Sequence, residues 1–203
     1  MGARTTTARR DATDAGTSLP ELLVAAAVVT TLIGMAVPAV GRVADHLRAT
    51  EAASAAAGWM RLARFQAIAT QTNVGLVFDR TPAGWSWRVC RDGTGNGLSR
   101  AEIASGADPC DPGRDLSAEW PGVRIALDPT LPGPDGTAPG ADPVRFGGAD
   151  VVSFTPVGTA TPGTLFLQSE GGEQLAVRVA GATGRTRVLR YERASRTWRD
   201  AGG

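Results

Sequence analysis

Residues 16–40, GTSLPELLVAAAVVTTLIGMAVPAV, set the reading of the whole chain. Residues 22–40 carry no charge. As a helix that run is about 28 Å long, close to the ~30 Å hydrocarbon thickness of a bilayer, so the run is expected to span a membrane. Glu21 stands at its start. A carboxylate in such a segment costs ~2.5–3.5 kcal/mol on insertion scales and calls for a function. Upstream, residues 1–15 are polar and include Arg4, Arg9 and Arg10. A secretory signal places its apolar stretch before the cleavage site, whereas here the stretch follows the small residues Ala15 and Gly16. Arg42 and Arg48 follow on the far side, and three arginines against two place the leader in the cytoplasm.

After Gly41 the helix is expected to leave the membrane and continue in water. Residues 49–57 are alanine-rich and favour helix. Ala55, Trp59, Leu62, Phe65 and Ala69 recur at three or four residues, one apolar stripe expected to face a core. Beyond Asn73 the period becomes two. Residues 74–78, 85–90, 123–127, 151–154, 164–168, 174–180 and 185–191 read as strands, with DRTPAG, VGTATPG and EGG as turns and 129–142 as a Pro/Gly loop. The expected fold class is α+β: a long N-terminal helix, transmembrane in its first half, packed on an antiparallel β-sheet domain.

Charge is unevenly placed. The net formal charge is +1, yet residues 91–150 hold ten acids and five arginines, and residues 178–203 hold seven arginines and two acids. Every basic side chain is arginine, whose planar fork suits phosphate. Cys90 and Cys110, the two cysteines, lie in the part placed outside the cytoplasm. They are candidates for one disulfide, worth about 3 kcal/mol in the chain-entropy model. With no Cys-x-x-Cys, a zinc or redox site is not expected. Asp92, Thr94, Asn96 and Gly97 match the first half of a calcium loop, but Ile103 stands where its closing acid belongs, with Glu102 one residue early. A glycine-rich hairpin loop is the better reading, and no metal or cofactor is expected. His46 is the single histidine and lies on the helix, so nucleophilic catalysis lacks a base of that type and the chain is not expected to be an enzyme.

Gly16, then Thr17-Ser18-Leu19-Pro20-Glu21-Leu22-Leu23, then the apolar run with Pro38, resemble a type IV prepilin. Met60-Arg61-Leu62-Ala63-Arg64 with Ala67, VSFTPVGTATPGTLFL and the closing GRTRV narrow the resemblance to the GspH/FimT family of minor pilins and type II secretion pseudopilins. The resemblance implies that a prepilin peptidase cuts after Gly16 and that Thr17, the new N-terminus, is methylated. Thr17 departs from the phenylalanine usual there. It implies that Glu21 and Pro38 serve assembly, Glu21 by accepting the N-terminal amine of a neighbouring subunit's Thr17. The chain then divides into a leader (1–16), a transmembrane and assembly helix (17–41), an amphipathic stem (42–70), a β-rich domain (71–191) and an arginine-rich tail (192–203). It starts in the inner membrane and ends in a periplasmic or extracellular filament, with other pilin or pseudopilin subunits as partners. The alternative is a membrane-anchored periplasmic binding module that does not polymerise.

Gly184-Arg185-Thr186-Arg187 resembles the GRxR motif of DNA-binding members. On a strand Arg185 and Arg187 share a face, and guanidinium forks clamp phosphates. Arg190, Arg193, Arg196 and Arg199 follow at every third residue, with Tyr191 and Trp198 among them, a composition suited to a nucleic-acid strand. Two readings stand: a DNA contact for uptake, or a structural strand followed by a solvated tail.

Overall fold

The computed structural model describes residues 18–82 and 84–201, with the backbone alone at 33–40 and 42. Gly16 and Thr17 lie outside the described residues. The chain forms two compact units, Met1–Gly41 and Arg42–Gly203. Helix α1 is Leu19–Thr70. In the first unit Glu21 sits in its first turn, where a negative charge complements the helix dipole. The hydroxyls of Thr30 and Thr31 donate to the carbonyls of Ala26 and Ala27 (2.7 and 2.8 Å), so both are satisfied inside the helix. Among the described residues no helix is long and apolar enough to cross a membrane. The expected span at 22–40 includes positions 33–40, whose side chains are outside that description. The fold class is α+β with a helix packed on antiparallel sheets, as expected.

The second unit is built on two antiparallel sheets. The first contains β1 (Val74–Thr81), β2 (Gly84–Arg91), β3 (Arg114–Asp115) and β6 (Val151–Phe154), ordered β3-β2-β1-β6. The second contains β4 (Val123–Ile125), β7 (Gly163–Ser169), β8 (Gln174–Val179), β9 (Thr186–Glu192) and β10 (Thr197–Asp200), ordered β10-β9-β8-β7-β4, with β5 (Val144–Arg145) also on β7. Two short helices, α2 (Arg100–Ser105) and α3 (Leu116–Glu119), occupy the loops. The seven expected strands all form: Val123–Ile125 and the start of β9 alternate, whereas β1, β6, β7 and β8 are short apolar runs buried over most of their length. Three two- to four-residue strands, β3, β5 and β10, were too short to show a period. Thr197–Asp200 pairs with β9, so the stretch read as an arginine-rich tail (192–203) carries the sheet's edge strand.

One core joins both sheets to α1. Val74, Leu76, Phe78, Trp87 and Phe154 reach it from the first sheet, and Leu165, Leu167, Leu175, Val177 and Val188 from the second. The helix meets them with Ala49, Ala53, Ala56, Ala57, Met60, Ala63 and Ala67, all buried. This corrects the expected stripe. Phe65 is 69% exposed and Leu62 is 42% exposed, Ala69 is exposed, and Ala55 is half-buried. Of the stripe, Trp59 alone packs against the core, with its ring 5.3 Å from that of Trp87. Small residues let the helix lie close on two large-residue sheets, and close packing leaves no room there for bulkier side chains.

Cys90 and Cys110 form the disulfide, 20 residues apart in sequence. Backbone bonds flank it: Arg91 N–H donates to Pro109 O (2.9 Å) and Asp111 N–H to Val89 O (2.8 Å). Replacing both cysteines by serine is expected to lower stability by about 3 kcal/mol. The urea midpoint of the full chain checks it, and an unchanged midpoint would show that the flanking bonds hold the loop unaided.

Candidate functional site

The loop inside the disulfide matches the first half of a calcium loop in sequence, but its carboxylates are engaged by its own donors. Asp92 is buried and accepts from the backbone N–H groups of Thr94, Gly95 and Gly97 (3.1, 2.6 and 2.8 Å) and from the Asn73 amide (2.8 Å). Asp108, also buried, accepts from the N–H groups of Gly93 and Ser99 (3.0 and 3.2 Å). Glu102 accepts from the side chains of Thr94, Asn96 and Ser99. The loop's own donors thus take up these carboxylate oxygens. Burial pushes the Asp92 carboxyl up, but the Asn73 amide and the three backbone N–H groups outweigh it, and its pKa is lowered.

Asp92→Ala leaves these donors without an acceptor. Each buried unsatisfied donor costs about 1–3 kcal/mol, and a loss of about 3 kcal/mol in all is expected once water relieves some of them. The pH dependence has a definite sign. A carboxyl with a depressed folded pKa stabilises fully above its unfolded value of about 3.9, and that stability is lost as pH falls through the folded value. The stability gap between the wild type and Asp92→Asn should therefore narrow below about pH 4. Thermal unfolding across pH measures the gap, and a constant gap would contradict the assigned role.

The arginine site is built around the β8–β9 turn. Ala180 N–H donates to Arg185 O (2.9 Å) and Gly184 N–H to Ala180 O (2.8 Å), closing the turn. Gly184 has φ +59°, and a Cβ there would lie 2.5 Å from Gly158 O and 2.8 Å from Arg64 Nε. Only glycine fits both the left-handed backbone and that approach. Arg64 of α1 donates from Nε to Gly158 O (3.3 Å) and so joins the 155–159 turn to the β8–β9 turn.

From Gly184 the strand alternates. Thr186 and Val188 are buried towards α1, and Arg185 and Arg187 are exposed on the outer face, as the strand period requires. Register places Arg178 of β8 directly opposite Arg187. A cleft on the helix side is lined by Arg61, Arg64, Thr183 and Arg185. Arg178 and Arg61 were not singled out from the sequence. Arg178 has the alternation of its strand as a signal, but its pairing with Arg187 depends on register between two strands.

The other arginines do not join this surface. Arg190 turns to the helix side, where its Nη1 is 3.3 Å from His46 Nε2, and His46 Nδ1 is 2.9 Å from Glu173. Arg193 donates to Gly172 O (2.9 Å). Arg199 pairs with Glu192 at 2.6 Å. The Ser195 hydroxyl first, and then Arg199, hold the Glu192 carboxyl below its usual range. Arg196 occupies the β9–β10 turn with φ 54°. Tyr191 and Trp198 meet each other, with centroids 5.4 Å apart. The every-third-residue spacing thus spreads these arginines over two faces and a turn.

A family model described as type II transport protein GspH matches residues 52–184. The chain belongs to the GspH family. Membership gives it a pilin- or pseudopilin-like role, with other pilin or pseudopilin subunits as partners. No curated protein and no solved structure matches it. Within this GspH-family chain the matched span runs from the alanine face of α1 to Gly184. Arg185 and Arg187 fall just beyond it.

Proposed function

We propose that this chain is a minor subunit of a type IV pilus or type II secretion filament. In this reading it is cut between Gly16 and Thr17, held in the inner membrane by residues 22–40, and drawn into the filament with its β domain outside. The observation that carries the proposal is the two-sided stem. Its alanine face is covered by its own domain, while Val43, Leu47, Leu62, Phe65 and Ile68 are exposed. Uncovered apolar surface of this extent marks an interaction site. The satisfied hydroxyls of Thr30 and Thr31 suit the apolar surroundings of a spanning segment. Glu21 fits the same reading: in a packed filament it meets the N-terminal amine of a neighbour's Thr17. The finer part of the proposal is that Arg185 and Arg187 contact DNA for uptake.

Two measurements test the subunit reading. The mass of the mature chain should correspond to a start at Thr17, with one methyl group added. Glu21→Ala should leave that processing intact and abolish incorporation into filaments, read by immunoblot of sheared filaments. Unchanged incorporation would overturn the role given to Glu21. A chain processed normally but absent from filaments in the wild type would favour a membrane-anchored binding module instead.

A further inference from the structure

We propose that the cavity on the outer face of β8, β9 and β10 holds one unpaired nucleotide, so that the DNA this chain contacts is single-stranded there. The proposal rests on the DNA reading of the 184–187 turn and specifies what that site takes.

The cavity measures about 510 Å3 and has two unlike walls. One is cationic: Arg178, Arg185 and Arg187. Like charges directly opposite on paired strands repel, and Arg178 and Arg187 are such a pair. Asp135, 3.6 Å from Arg178, answers one of them. Among the described residues neither Arg185 nor Arg187 has a carboxylate partner, so the site carries excess positive charge that an anion relieves. The other wall is apolar: Pro134, Leu189 and Trp198. Its indole is fixed in place, because Nε1–H donates to Pro132 O (2.8 Å) and the ring meets Phe166 at 5.7 Å and Tyr191 at 5.4 Å.

A ligand matching both walls has a flat apolar ring and an anionic group a few ångströms away, which describes a nucleotide. The volume is in the range of small-ligand pockets. Duplex DNA presents phosphates to the arginines but keeps its bases stacked within the helix, so the apolar wall stays unused. An unpaired base uses both walls. Stacking of one base on an aromatic wall is expected to favour the single strand about tenfold. The cavity also opens on the sheet face away from α1, so it stays open when the exposed stripe of α1 is covered.

The test uses the full-length chain in detergent, with a fluorescein-labelled thymidine oligomer of about 10 nucleotides and a duplex of equal length as probes. Ala180→Phe fills the cavity from an exposed position without removing an arginine or a turn hydrogen bond. The wild type should bind the single strand about tenfold more tightly than the duplex. Ala180→Phe should remove that preference, keep duplex binding and leave the thermal midpoint unchanged. Equal affinity for both probes in the wild type, unaltered by Ala180→Phe, would overturn the nucleotide pocket and leave the DNA reading standing. Binding to neither probe would overturn both.

Discussion

Replacing Ala53 and Ala57 together by leucine should lower the thermal midpoint by roughly 5–20 °C. Both alanines are fully buried where α1 lies on the two sheets. Extra methylene groups in a filled core typically cost about 1–3 kcal/mol per site. The two positions are one helical turn apart in the same core cluster, so their costs are expected to couple. The pair is expected to remove about 2–6 kcal/mol, against a total of about 5–15 kcal/mol for a domain. For a chain of this size each kcal/mol is worth about 2–4 °C. Leu62→Ser with Phe65→Ser makes the contrast. Both side chains are exposed, so stability should stay within about 0.5 kcal/mol. Incorporation into filaments should fall instead. Thermal unfolding of the full chain and a filament immunoblot read the two effects. A midpoint unmoved by the leucines would mean that the alanine face is not the seat of the helix.

The same contrast shows what the sequence carried. The strands were legible because a short apolar run between turn residues is a local signal: Val151–Phe154 and Gln174–Val179 are buried over most of their length, as such runs are in a sheet covered on both faces. The helix was legible as a helix, but its buried face was not. A search for bulky residues at helical spacing finds Leu62 and Phe65, whereas the sheets select for small side chains that permit close approach. That preference belongs to the partner surface and is not written in the helix. The arginines failed in a related way. Spacing by three looks like one surface in the sequence, but a strand alternates by two, so Arg187 and Arg190 part to opposite faces. Arg193 and Arg199 then find partners across turns whose geometry no local pattern announces. Gly184 was visible as part of a motif. Its reason, the approach of Arg64 and Gly158, comes from segments far away in sequence.

Arg185→Ala with Arg187→Ala should weaken DNA binding about a hundredfold and make it less sensitive to salt. Arg187 of β9 and Arg185, which immediately precedes the strand, are both exposed on its outer side, and neither has a carboxylate partner among the described residues. A hydrogen bond to a charged group contributes about 1.5–3 kcal/mol, so each arginine is worth about a factor of ten or more. Each phosphate neutralised on duplex DNA contributes about 0.9 to the slope of log affinity against log salt. Loss of two contacts should flatten that slope by nearly two. Arg193→Ala with Arg199→Ala is the control: Arg193 is engaged with Gly172 O and Arg199 with Glu192, so their removal should change affinity little. The comparison decides between a site and a general field. If charge alone drew the DNA, both pairs would matter about equally, because each removes two charges from the same sheet. If the outer-face pair holds phosphates directly, it alone should carry the loss. Equal losses would therefore reduce the 184–187 turn to one part of a diffuse basic surface.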